Sequence, residues 1–76
     1  MKFLIIGLGS MGKRRARNLL ALNYSNVFGY DISRKRRIEF EKKYNLPTFA
    51  SLKNIKINEF DALIVSTHPS FHFKYI

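Results

Sequence analysis

Apolar residues along the chain fall into two kinds of pattern. Lys2-Phe3-Leu4-Ile5-Ile6 is a short, almost wholly apolar run, the mark of a strand buried on both faces. Met11, Ala16, Leu19, Leu20 and Leu22 then recur mostly at three- and four-residue spacing. That predicts an amphipathic helix over residues 11–23 with the arginines on its outer face. Asn23-Tyr24-Ser25-Asn26 is turn-rich and stops it. A second strand-like run, Asn26-Val27-Phe28-Gly29-Tyr30, ends on Asp31. Ser33 suits the N-cap of a second helix running to Tyr44, with Ile38, Phe40 and Tyr44 as its buried side. Asn45-Leu46-Pro47 ends that helix, because proline disfavours helix in the residue before it.

Thr48-Phe49-Ala50 is long enough for a brief strand. Ser51 is placed to cap a weak helical turn carrying Leu52 and Ile55, with Ile57 and Phe60 apolar beyond it. Asp61-Ala62-Leu63-Ile64-Val65-Ser66 is the next strand, again apolar on both faces. Thr67-His68-Pro69-Ser70 leaves it as a loop, and Ser70 suits the cap of a further helix. Phe71, Phe73 and Tyr75 alternate there and read as core-packing residues.

The order β-α-β-α-β-β is that of the first half of a doubly wound α/β fold, a Rossmann-type parallel sheet. Right-handed crossovers put the first two helices on one face. A reversal between the third and fourth strands sets the fourth beside the first. Ligands of such sheets bind at that switch point, outside the carboxyl ends of the strands.

The link between the first strand and the first helix carries the chemistry. Gly7-Leu8-Gly9-Ser10-Met11-Gly12 has the spacing G-x-G-x-x-G, directly after a strand and opening a helix. Gly7 allows a sharp turn, Gly9 leaves room for a pyrophosphate, and Gly12 allows close packing of helix on sheet. A helix starting at Ser10 or Met11 turns its free N–H groups and positive dipole end toward those phosphates. Asp31 stands nineteen residues after Gly12, where a carboxylate can accept from adenosine ribose hydroxyls. Together these elements form a dinucleotide-binding fingerprint. Asp31 favours NAD by repelling a 2′-phosphate. Arg34, Lys35 and Arg36 argue for NADP, because an arginine just past the strand can pair with that phosphate. The expectation is NAD, with NADP as the variant.

Composition narrows the classes. The 76 residues make one small domain or part of a larger one, with 46% hydrophobic residues and no cysteine. A chain this size buries only about 60% of its unfolded surface. Without cysteine there is no disulfide framework or thiolate metal site, and a reducing cytoplasm is expected. No apolar run approaches the roughly 20 residues of a membrane span, and the immediate first strand leaves no room for a signal peptide. The net charge of +9 concentrates in Lys13-Arg14-Arg15-Arg17 and Arg34-Lys35-Arg36-Arg37. Solvated helix faces account for these clusters more simply than a nucleic-acid surface does. His68 and His72 stand four apart, but no cysteine or nearby carboxylate completes a metal site. Ser10 and Ser66 have no base signature for nucleophilic catalysis.

The glycine motif, then Tyr30-Asp31, then Asp61-Ala62-Leu63-Ile64-Val65-Ser66-Thr67-His68-Pro69-Ser70-Phe71-His72 closely resembles the N-terminal domain of the Gfo/Idh/MocA oxidoreductases. These are NAD(P)-dependent enzymes acting mostly on sugars, inositols and related polyols. Thr67, Pro69, Ser70 and His72 match the end of that family's fourth strand. The resemblance implies cofactor binding at Gly7, Gly9, Ser10, Met11, Gly12, Asp31, Thr67 and His68, with His72 on the nicotinamide side. Arg15 stands where the family often has a histidine, and His68 where many members carry proline or another small residue. The family's catalytic lysine, in a Glu-Lys-Pro motif after a fifth strand, and its C-terminal α+β domain would lie beyond Ile76. The chain therefore reads as the cofactor half of such an enzyme, unable by itself to turn over a substrate. A nucleotide-binding or regulatory module without catalysis is the alternative. An unpaired fourth strand at the sheet edge predicts self-association.

Overall fold

Four apolar residues in succession, Phe3, Leu4, Ile5 and Ile6, form β1 (Phe3–Ile6), and all four are buried. The computed structural model describes residues 1–53 and 55–66. It sets β1 between β2 (Val27–Tyr30) and β4 (Ala62–Val65), with the two-residue β3 (Thr48–Phe49) outside β2. Every pairing is parallel, so the order β3-β2-β1-β4 reverses between the third and fourth strands as expected. Expectations resting on Thr67, His68, Pro69, Ser70, Phe71, His72, Phe73 and Tyr75 lie outside the described residues.

Strand register sorts the side chains. Phe3 lies beside Val27 and Ala62, and Ile5 beside Gly29 and Ile64. With Leu8, Ala16, Phe40 and Leu46 they make the core that α1 (Ser10–Ala21) and α2 (Arg34–Tyr44) cover. Leu4, Phe28 and Leu63 align on the other face. There Phe28 stacks on Phe49 at 5.9 Å and meets Phe60 edge-on at 5.5 Å. At the opposite end of the sheet from the glycine turn, the Lys2 N–H donates to Asp61 Oδ2 at 2.6 Å, and the Asp61 N–H returns to the Lys2 carbonyl. This clasp sets the register of β4 on β1.

A left-handed asparagine follows each helix, Asn23 (φ 69°) two residues past the end of α1 and Asn45 (φ 54°) as the cap of α2. This residue type tolerates that region better than most. The N–H groups of Asn23 and Tyr24 close back on the Leu20 and Leu19 carbonyls, which stops α1 at Ala21 rather than Asn23.

Three expectations need correction. Met11 and Leu22 are exposed, and the buried stripe of α1 is Gly12, Ala16, Leu19 and Leu20. At 3.6 residues per turn Met11 sits about 140° round from Ala16, and Leu22 lies past the last helical residue. Ile38 is 37% exposed while Phe40 is fully buried, because residues two apart on a helix point about 200° from each other. The described residues 51–53 and 55 make no helix: the Ser51 hydroxyl accepts from the Lys53 N–H, and the Ile55 N–H donates to the Leu52 carbonyl. The helical turn comes later, as a 3₁₀ turn over Ile57–Glu59.

Candidate dinucleotide site

The turn after β1 is built by backbone geometry and held by the next strand. Gly7 has φ 98°, a conformation L side chains rarely adopt, and its N–H donates to the Tyr30 carbonyl at 2.8 Å. Leu8 drops its side chain into the core, fully buried, while its N–H donates to Asp31 Oδ2 at 2.9 Å. Gly9 is the N-cap of α1 with extended backbone. A methyl added there would meet only the Arg36 guanidinium carbon, at 3.9 Å. Gly12 differs: a Cβ would fall 1.9 Å from the Gly7 carbonyl oxygen. Gly12 lets the helix sit down on the turn, and Gly9 keeps the space above the turn open.

Asp31 follows β2 and is 6% exposed. Its Oδ1 accepts from the Ser33 N–H at 2.8 Å and its Oδ2 from Leu8, so both oxygens have backbone donors. A buried carboxylate is tolerable when satisfied in this way. The Arg37 guanidinium donates to the Asp31 and Ile32 carbonyls at 2.8 and 3.0 Å, fixing the bend between β2 and α2. Arg36 brings Nη1 to 3.7 Å from Asp31 Oδ2. Ser33 caps α2, its hydroxyl accepting from the Arg36 N–H.

The electrostatics suit an anion. No side chain caps α1 and neither helix has an acidic residue in its first turn, so the first-turn N–H groups of α1 are unspent within the helix. The positive dipole end adds to them. Lys13 bridges to Glu39 at 3.1 Å, tying α1 to α2 beside the site. That hydrogen bond and the lysine's charge hold the Glu39 carboxyl below its ordinary range.

At the end of β4 the Ser66 N–H donates to the Ile6 carbonyl at 2.8 Å, which brings β4 to the foot of the glycine turn. The Ser66 hydroxyl is buried there without a hydrogen-bond partner among the described residues. An orphaned hydroxyl, an open glycine and a helix N-terminus around one turn fit a dinucleotide's phosphates and ribose. Among the described residues no group of His, Cys, Asp and Glu could hold a metal ion.

The structure thus gathers Gly7, Gly9, Ser10, Met11, Gly12 and Asp31 around one turn. Arg34 stands exposed at the start of α2, and the guanidinium that reaches the turn is that of Arg36. Thr67, His68 and His72 lie outside the described residues. Sequence reasoning did not assign the Leu8–Asp31 tie, the bracing by Arg37 or the orphaned Ser66 hydroxyl. The one available signal was position: Arg36 and Arg37 fall in the first turn of a helix that starts immediately past Asp31.

Neither the curated proteins nor the solved structures compared contain a match. A family model described as an oxidoreductase family with an NAD-binding Rossmann fold matches residues 1–76. Among the described residues no helix is long and apolar enough to cross a membrane. With the parallel sheet, the glycine turn and the acid after β2 in place, this chain belongs to the GFO_IDH_MocA oxidoreductase family.

Proposed function

We propose that the chain binds NAD at the turn Gly7–Gly12 and serves as the cofactor-binding part of an oxidoreductase acting on a sugar, inositol or related polyol in the cytoplasm. The observation that carries the cofactor reading is the Leu8 N–H to Asp31 Oδ2 bond, which seats a ribose-reading carboxylate beside the open backbone of Gly9. The first-turn N–H groups of α1 hold the pyrophosphate. Asp31, pinned by Leu8 and Ser33, orients the adenosine ribose. Ser66, at the end of β4, offers its unpartnered hydroxyl to the middle of the ligand. Thr67, His68 and His72, which match the family's motif in the sequence, join these residues in the proposed binding set. When bound, the nicotinamide supplies the hydride chemistry, and the residues named here bind and orient it. Proton transfer and substrate recognition are assigned to groups outside this set, and the 76-residue chain alone is expected to turn over no polyol.

The test is Gly9→Val, titrated with NAD by calorimetry and compared by circular dichroism with the unaltered chain. The expected result is an intact fold that no longer binds the dinucleotide, because a branched side chain fills the pyrophosphate space. Unchanged affinity would remove the glycine turn from the site.

A further inference from the structure

We propose that Arg37 is a positioning residue of the dinucleotide site, setting the aim of the Asp31 carboxylate at the adenosine ribose; this rests on the reading above and deepens it. Arg37 holds three successive carbonyls at the junction of β2 and α2. Its guanidinium Nη1 donates to the Asp31 carbonyl at 2.8 Å and to the Ile32 carbonyl at 3.0 Å. Its backbone N–H donates to the Ser33 carbonyl at 3.1 Å. Every residue between the end of the strand and the start of the helix is tied to this one arginine.

The sheet cannot do this work. The pairings of β2 with β1 and with β3 both end at Tyr30, so the next carbonyls lie past the ladder. Helix α2 begins only at Arg34. Backbone acceptors in such a gap need a donor from elsewhere, and a guanidinium offers several in one fixed plane.

The junction matters to the ligand because it supplies half of the Asp31 seat. Oδ2 is held by the Leu8 N–H, which belongs to the glycine turn. Oδ1 is held by the Ser33 N–H, which belongs to the junction. With Arg37 in place the two donors stand at a fixed separation, and the carboxylate between them has one orientation. Without it the Ser33 side shifts, and the carboxylate pivots on the Leu8 bond alone. The core feels little of this, since Ile32 is 83% exposed and Arg37 itself is only half-buried. The fold stays and the aim is lost, which a binding site held to fractions of an ångström registers as affinity.

The experiment is calorimetric titration of the full chain with NAD at physiological salt, for the unaltered protein and for Arg37→Met, Arg37→Lys and Lys42→Met. Lys42 lies in the last turn of α2 and controls for the loss of one positive charge. Thermal melts and the Asp31 carboxyl carbon resonance are recorded for each protein. Arg37→Met is expected to weaken NAD by about tenfold, the loss of one hydrogen bond to a charged group. It should also move the Asp31 resonance and melt within about 8 °C of the unaltered chain. Arg37→Lys keeps the charge and some donors, so it should recover part of the affinity and move the resonance less. Lys42→Met should leave NAD binding within about twofold and the resonance in place. Unchanged NAD affinity or an unmoved Asp31 resonance in Arg37→Met, an equal loss in Lys42→Met, or an Arg37→Met chain that no longer folds would overturn the positioning role and leave the dinucleotide site standing. Failure of the unaltered chain to bind NAD would overturn the site and this proposal with it.

Discussion

Alanine at Gly12 and alanine at Gly9 add the same methyl group three residues apart, and the structure separates their outcomes. At Gly12 the new Cβ would lie 1.9 Å from the Gly7 carbonyl oxygen and 3.0 Å from its carbon. Both are backbone atoms in a turn fixed by the Gly7 N–H to Tyr30 bond, so neither can give way. Helix α1 would have to lift from the sheet and carry Ala16, Leu19 and Leu20 off the core. Overpacking against a rigid neighbour costs about 3 kcal/mol or more. A chain of this length holds only about 4–11 kcal/mol in total, and the melting temperature should fall by about 12–24 °C. At Gly9 the backbone is extended with φ −74°, and the methyl meets nothing nearer than Arg36 at 3.9 Å. The entropy gained by replacing glycine and the poorer N-cap offset each other, leaving stability within about 1 kcal/mol. The same methyl points into the proposed pyrophosphate space and should cost NAD binding about 1–3 kcal/mol, roughly 5- to 150-fold in Kd. Thermal melts read the first effect, and calorimetric titration of the folded variant reads the second. A Gly12→Ala protein melting with the unaltered chain, or a Gly9→Ala protein that loses its fold, would refute the division of labour between the two glycines.

Other outcomes follow from the same contacts. Asp31→Asn keeps the shape but offers one acceptor to two N–H donors, so it should cost about 1–3 kcal/mol in chemical denaturation; an unchanged midpoint would mean the pair of bonds is dispensable. The Glu39 carboxyl, held below its ordinary range by Lys13, lends stability that is present above the usual glutamate pKa and is lost as pH falls through the lowered one. Lys13→Met should raise the Glu39 pKa toward its ordinary value in a carboxyl NMR series, with Lys35 and Arg36 still drawing it down, and no movement would place the cause elsewhere. Leu63, 41% exposed on the edge strand β4, is where self-association is expected. Leu63→Lys should lower the sedimentation coefficient at micromolar concentration, and a unaltered chain already monomeric there would remove the edge from consideration.

The parts of this molecule legible in its sequence are those written in short-range code. The unbroken apolar run Phe3 to Ile6, the serine before α2 and the G-x-G-x-x-G spacing each act within a few residues, and β1, the Ser33 cap and the turn appear where they imply. The placement of β4 followed from the strand-order reversal of a doubly wound sheet rather than from any one residue. Side-chain direction within an element was harder to read. Ile38 and Met11 were apolar residues near the right faces, yet a rotation of about 140–200° put them in solvent. The contacts between distant residues were not legible. Nothing in Leu8 or Asp31 taken alone says that the N–H of one seats the carboxylate of the other across 23 residues. Nor does the run of four basic residues say which of them faces the turn.

That 23-residue tie between Leu8 and Asp31 bears on how the chain opens and closes. A turn secured only by its own glycines could breathe by itself, exposing its amides to solvent while the sheet stayed whole. Here the Leu8 amide is covered by a carboxylate that belongs to the next β-α junction, and the Gly7 amide by the carbonyl of Tyr30. Neither can exchange its proton until β2 parts from β1. The glycine turn therefore shares the cooperative unit of the central strand pair. Deuterium should enter at Leu8 and Gly7 as slowly as in the middle of β1, and well after the amides of residues 51–53.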